Sequence, residues 1–282
     1  MLSGRYHFKI GSFDCMAIND AADMRPITFL TGSIPQEQLA QILKEHGLSP
    51  TEVLVDFNCL YVYTGSRLIL VDTGWGSVAP RMQGRLVHGL QEEGISPGDI
   101  DMVVLTHGDR DHIGGMTDAQ GKLAFPNAQF VMGKPAWDWY TSEETLARMP
   151  ADFAAIYRKI MPLMRERVQL VDTEMKILNG VQAIPAPGHR AGHMVLHFAS
   201  GNEQLLHVAD VIGHPLLIEH PEWHFPADGE PEQAVADRRR FIQWAADKTA
   251  MVFGSHLPFP GLGRILQQEG GLRWRSAVSE EE

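Results

Sequence analysis

Six consecutive residues, from His107 to His112 in LTHGDRDHIGG, bring two imidazoles and two carboxylates together: His107, Asp109, Asp111 and His112. Imidazole nitrogens and carboxylate oxygens suit zinc, iron or manganese, and carboxylates crowded this closely without a cation would repel one another. Three more polar residues repeat the setting, each following an apolar run: His189 in PAPGHRAGH, Asp210 in LLHVADV and His256 in MVFGSH. One or two cations held by such a set would activate water at neutral pH and polarise a carbonyl or phosphoryl oxygen. No Ser or Cys nucleophile is then required.

The elements that must position these groups are legible as β-rich runs: VLVDFNCLYVYTG, RLILVDTG, DMVVLTH, AQFVMG, VQLVD, QAIPAPG, MVLHFAS and LLHVADV, most of them bounded by Gly, Asp or Asn. The apolar strand Met102 to Leu105 runs directly into His107, which places the cluster at a strand's C-terminal end, where sheet-based folds commonly hold ligands. An extended chain would point residues 107, 109 and 111 one way. Gly108, Gly114 and Gly115 instead predict a tight turn that converges all four side chains on one or two cations.

Helices are expected between the strands. Met82, Leu86 and Leu90 recur every fourth residue and Gly94 closes the segment. PEQAVADRRRFIQWAADK opens on Pro231 and offers Val235, Phe241, Ile242, Trp244 and Ala245 for burial, with Arg238, Arg239 and Arg240 read as a solvated face. Residues 135–167, rich in aromatic and aliphatic side chains, read as two helices forming an insert that caps the site. Residues 276–282 read as a frayed acidic tail.

The chain has 282 residues, 44% hydrophobic and 21% charged, enough to bury a sizeable core. Lys plus Arg total 24 against 35 Asp plus Glu, and the net charge of -11 disfavours a nucleic-acid partner. The N-terminal stretch lacks the apolar core of a signal peptide, and no run approaches the roughly 20 apolar residues of a membrane span. A cytoplasmic protein with no membrane partner is expected. Cys15 and Cys59, without C-x-x-C spacing, read as small buried residues.

Taken in order, DTG at 72–74, THGDRDHIGG at 106–115, PGHRAGH at 187–193, AD at 209–210 and GSH at 254–256 resemble the metallo-β-lactamase superfamily. The N-terminal lead-in and the stretch from HPEWHFP to GLGRI are similar to its methyl parathion hydrolase-like branch, which contains phosphotriesterases and lactonases. The resemblance implies an α+β fold, a four-layer αβ/βα sandwich of two mixed sheets flanked by helices, as one domain over 1–282. It also implies two divalent metal ions at one edge. One would be held by His107, Asp109 and His189, the other by Asp111, His112 and His256, with Asp210 bridging. Asp72 would orient a ligand through a hydrogen bond, and His193 would support the site without ligating.

Asp109 departs from the common H-x-H-x-D-H pattern by standing at the second His. Zinc is the expected metal for the set as a whole. The extra oxygen ligand hardens one site and adds negative charge, which brings in iron or manganese. The mechanism implied is attack of a metal-bridging hydroxide on a lactone or other ester carbonyl. Asp210 would fix the metal separation, and an acidic ligand such as Asp111 would shuttle a proton.

Trp223, His224, Phe225, Leu257 and Phe259 are expected to line an apolar substrate pocket, which suits an apolar acyl or aryl group, as in an acyl-homoserine lactone, with phosphotriester cleavage as a promiscuous activity. A homodimer is borrowed from the same branch. Two rival readings are an iron-dependent oxidoreductase on the same fold and a metal-binding protein without catalysis.

Overall fold

The computed structural model describes residues 4–30, 34–79 and 81–278. One sheet is laid down, neighbour by neighbour, by β1 (Arg5–Ile10), β2 (Phe13–Pro26), β3 (Glu52–Tyr63), β4 (Leu68–Val71), β5 (Met102–Leu105), β6 (Gln129–Gly133) and β7 (Val168–Val171). The other is built the same way from β8 (Met175–Leu178), β9 (Val181–Pro185), β10 (Met194–Ser200), β11 (Glu203–His207), β12 (Met251–Phe253), β13 (Leu262–Gln268) and β14 (Gly271–Ser276). Both are mixed. The strands from β4 to β7 run parallel after an antiparallel start, and β11 pairs in parallel with β12 inside an otherwise antiparallel sheet. The helices are α1 (Gln36–Glu45), α2 (Leu86–Glu92), α3 (Arg110–Ile113), α4 (Lys134–Thr141), α5 (Glu143–Arg148), α6 (Ala151–Met164), α7 (Leu216–Glu219) and α8 (Pro231–Lys248).

Strand periodicity explains the layering. Successive strand side chains point to opposite faces, so a strand that is apolar throughout must be covered on both. Ile69 and Val71 on β4, Val104 on β5 and Val131 on β6 pack between the sheets with Leu196, Phe198, Leu205 and Phe253 of the second sheet. Their neighbours Leu70, Val103, Leu105, Phe130 and Met132 face outward, onto Leu86 and Leu90 of α2 and Tyr157, Ile160 and Met164 of α6. Val195, Leu206 and Val252 turn the other way, onto Phe241, Ile242 and Ala245 of α8. These three apolar layers form the helix, sheet, sheet, helix sandwich that the resemblance implies. Cys15 and Cys59 are buried within it.

Several elements differ from the sequence reading. Residues 134–164 form three helices rather than two, because Ser142 caps α5 by accepting from Thr145 N and Met149 is held extended before Pro150. α2 begins at Leu86, leaving Met82 outside, because the buried carboxylate of Asp20 accepts Leu86 N at 2.8 Å and Trp75 N at 2.8 Å. Arg238 is not solvated: it is fully buried and ion-paired to Asp228 at 3.1 Å, while Arg239 and Arg240 are exposed. Of the acidic tail, Ser276 ends β14 and residues 279–282 lie outside the described residues. Among the described residues no helix is long and apolar enough to cross a membrane.

Candidate metal centre

The ends of five strands meet at one edge of the sandwich. β5 leads into His107, and Asp109 begins a single helical turn, α3, whose His112 and Ile113 amides donate to the Asp109 carbonyl at 3.0 and 3.1 Å. That turn replaces the extended alternative and carries Asp111 and His112. It is tied to the end of β4, since Thr73 N and Thr73 Oγ1 both donate to the His112 carbonyl. Gly115 permits this contact: a Cβ there would lie 2.0 Å from the Thr73 carbonyl oxygen. His189 follows β9, Asp210 follows β11, and His256 follows β12.

Asp210 sits in the middle. Its Oδ2 lies 3.8 Å from His107 Nε2, 3.4 Å from His189 Nε2 and 3.1 Å from His256 Nε2, and its Oδ1 lies 3.3 Å from His112 Nε2. Asp109 Oδ2 is 3.8 Å from both His107 Nε2 and His189 Nε2. Asp111 Oδ2 is 3.5 Å from His112 Nε2 and 3.4 Å from His256 Nε2. Donor atoms of three trios, His107 with Asp109 and His189, His107 with His112 and Asp210, and Asp111 with His112 and His256, lie close enough together to hold a cation. All seven residues named as ligands from the sequence are therefore brought together.

The far side of each ring tells which nitrogen is free. Ionised carboxylates and carbonyl oxygens only accept, so a ring nitrogen facing one must carry the proton. His112 Nδ1 donates to Asp72 Oδ2 at 2.8 Å, His189 Nδ1 to Asp228 Oδ1 at 3.0 Å, and His256 Nδ1 to the Asp56 carbonyl at 3.0 Å. Each turns Nε2 toward the centre, as the nitrogen whose lone pair a cation can take once its proton is displaced. The Nε2 atoms of His107, His112 and His189 and the Oδ1 of Asp210 are buried without any hydrogen-bond partner. Buried polar atoms left unpaired are costly, and a shared pair of cations satisfies this set.

The electrostatics agree. Burial would lower His112, His189 and His256, but the surrounding carboxylates outweigh it and raise all three, His189 to about 9. Burial would raise Asp210, yet the charges of His256, His112 and His107 hold it well below the carboxylate range. His107 is pushed far down, by burial first and then by His112. Protons on the imidazoles thus balance the carboxylates here, and cations can take their place. His193 is pushed down to about 3, mainly by burial, and its neutral Nε2 accepts from Asp210 N at 3.3 Å, a supporting rather than converging role.

The pocket lies elsewhere than expected. A cavity of about 640 Å³ opens over Asp109 and Asp111 and is walled by Trp75 with Trp139, Tyr140, Met149, Phe153 and Tyr157 of the α4–α6 segment. None of Trp223, His224, Phe225, Leu257 and Phe259 lines it. Trp223 and Phe225 are buried in the apolar cluster that also holds the wall residue Trp75, with the Phe225 ring 6.1 Å from that of His189; Leu257 belongs to the α8 layer, Phe259 packs between the sheets, and His224 is exposed. Leu257 and Phe259 lie beside His256 in sequence, and Trp223, His224 and Phe225 are aromatics of a Pro-rich loop; neither feature says which way a side chain faces. Spacing also gave no signal for Asp228, Tyr140 and Arg190, whose partners lie 39, 31 and 81 positions away. GISPG at 94–98 fits the G-x-S-x-G spacing of a serine nucleophile, but Ser96 only caps a surface turn, accepting from Gly98 N.

Residues 56–256 match the family described as the Metallo-beta-lactamase superfamily. The N-acyl homoserine lactonase AiiA of Bacillus thuringiensis subsp. kurstaki is 24% identical over 218 residues, 70% of this chain and 80% of its own length. Among solved structures, AidC, a dizinc quorum-quenching lactonase in complex with a product N-hexanoyl-L-homoserine, superposes with a TM-score of 0.89 at 31% identity, covering 99% of both chains. The hydrolase AbOPH, at 24% identity and a TM-score of 0.88 over the whole of both chains, shares the fold.

Proposed function

The chain belongs to the metallo-beta-lactamase superfamily, and on that premise we propose that it is a binuclear metal-dependent hydrolase of lactones, N-acyl homoserine lactones first among them. His107, Asp109 and His189 would hold one cation and Asp111, His112 and His256 the other, with Asp210, whose carboxylate lies within 3.8 Å of the Nε2 atoms of His107, His112, His189 and His256, available to both. When bound, two divalent cations supply a nucleophile drawn from water near neutral pH and polarise the scissile carbonyl. Four imidazoles favour zinc; the added carboxylate of Asp109 makes iron and manganese the alternatives that metal analysis separates.

This chain's own groups do the rest. Asp72, Asp228 and the Asp56 carbonyl fix three imidazoles in the tautomer that leaves Nε2 free. Asp111 lines the cavity and is only partly buried, which suits it to carry a proton to the departing alkoxide. Trp139, Met149 and Phe153 hold an apolar acyl chain and keep water from it, Trp139 at the mouth with 52% of its surface exposed. The carrying observation is the convergence of unpartnered, buried Nε2 atoms on Asp210 beneath an apolar cavity. Zinc-, manganese- and iron-loaded protein should open the ring of an N-acyl homoserine lactone, and chelated protein and the Asp210→Ala variant should not. Equal turnover by chelated protein would overturn the proposal.

A further inference from the structure

Asp109, the residue that departs from the common motif, is held by groups that look designed around a carboxylate. Its Oδ1 accepts the Tyr140 hydroxyl at 2.9 Å and Arg190 Nε at 3.0 Å, and its Oδ2 accepts from Arg190 Nη2 at 3.0 Å. The guanidinium is anchored from behind, with Nη1 donating to the His189 carbonyl at 3.0 Å and to the Ala227 carbonyl. Tyr140 stacks on Tyr157 with ring centroids 4.3 Å apart and reaches Asp109 across Gly108, where a Cβ would lie 2.1 Å from the Tyr140 ring. Burial and the nearby Asp109 charge both raise the Tyr140 phenol, so it stays protonated and donates. Oδ1 is thereby occupied twice, and Oδ2 is the oxygen that faces His107 Nε2 and His189 Nε2.

An aspartate in place of a histidine adds one negative charge to the ligand set, and Arg190 returns one positive charge at hydrogen-bond distance in a two-pronged contact. We propose that Asp109 and Arg190 act as a single net-neutral replacement for an imidazole ligand, with Arg190 and Tyr140 as positioning residues that fill both lone pairs of Oδ1 and one of Oδ2, leaving the other Oδ2 lone pair turned toward the cation. This rests on the metal site described in the preceding subsection. It follows that Arg190 helps only while residue 109 is a carboxylate. Opposite a neutral imidazole, the same guanidinium would face a cation with no counter-charge between them. A role confined to anchoring the His189 loop through Nη1 predicts instead that loss of Arg190 costs the same whatever stands at 109.

A double-mutant cycle on the full chain separates these cases: Arg190→Met, Asp109→His and the pair together, read as zinc equivalents retained on dialysis and as affinity of the weaker equivalent against a chromophoric chelator. Arg190→Met should weaken that equivalent by about 10- to 100-fold. The double variant should bind on the order of ten times more tightly, or better, than the product of the single effects. Effects that simply multiply would overturn the proposal. If far-UV circular dichroism shows Arg190→Met unfolded, Arg190→Lys and Tyr140→Phe carry the same cycle: each should weaken zinc in the natural background and not in Asp109→His, and equal losses in both backgrounds refute it. The readout is metal binding, so a chain that binds two cations but opens no lactone still reports on Arg190. A natural chain that retains no zinc, iron or manganese removes the metal site and the proposal together.

Discussion

Asp72→Asn is nearly isosteric, yet it should loosen one of the two cations. Asp72 Oδ1 accepts Thr106 N, and its Oδ2 accepts both Thr106 Oγ1 and His112 Nδ1, each at 2.8 Å. An Asn that keeps its carbonyl on Thr106 N turns its amide toward Thr106 Oγ1 and His112. The hydroxyl can rotate to accept. His112 Nδ1 can accept only by moving its proton to Nε2, and a protonated Nε2 has no lone pair for a metal. With the metal in place, two donors must face each other in a buried site. A buried donor left unpaired costs about 1–3 kcal/mol, or roughly 5- to 150-fold in affinity, the same range as loss of a partner behind a metal-bound histidine.

Backbone geometry makes Asn the informative substitution. Asp72 has a φ of 60°, in the left-handed region that Asn tolerates and Ala does not. Asp72→Asn should therefore leave the metal-free fold nearly unchanged, whereas Asp72→Ala adds about 1–2 kcal/mol of strain to its lost hydrogen bonds. Competition with a chelator, metal content after dialysis and thermal melts of chelated protein check the three parts. An Asp72→Asn protein that binds two equivalents as tightly as the natural chain would refute the tautomer argument, because His112 Nε2 could not then be a ligand set by Asp72.

Asp228→Ala should destabilise the protein by about 3–5 kcal/mol in urea unfolding, since it strands the fully buried Arg238 guanidinium and removes the acceptor behind His189. Metal-free protein should lose stability as pH rises from about 6.5 to about 9. The folded His189 is raised to about 9, so its contribution is complete below the unfolded value and is lost on passing through the folded one; His112 and His256, also raised, act in the same direction. Thermal melts across that window should fall for chelated protein and stay level with zinc bound, because the cation replaces those protons. Trp139→Ala should raise KM for long-chain acyl lactones by about tenfold and change short-chain ones little, given roughly 25 cal/mol per Å² of apolar contact; equal effects on both would remove Trp139 from the acyl wall.

What could be read from the sequence divides along a physical line. The seven converging residues were legible because each follows an apolar run, so that strand ends mark them, and because a cluster of imidazoles and carboxylates has few uses besides a cation. β4 and β5 were legible for the same reason, being apolar throughout, and β3, β6, β7 and β9 to β11 kept enough β-branched and other apolar residues to read as strands despite polar residues such as Asp56, Asn58, Gln169 and Gln182. β2 was not, because Asn19 and Asp20 interrupt it, and their reason for being there is distant: Asp20 caps α2, and Asn19 donates to Asp56 at 2.8 Å. β13 and β14 were missed because LGRILQQ and GLRWRS alternate apolar with charged or polar residues near one edge of a sheet. The groups behind the ligands escaped altogether, since a carboxylate 39 positions away that fixes a ring has no signature in composition or spacing. Asp109 joins the two classes. Its departure from the motif was visible in the chain, but the charge that offsets it comes from Arg190, the residue immediately after the ligand His189, and that link exists only once β5 and β9 have been brought to the same edge.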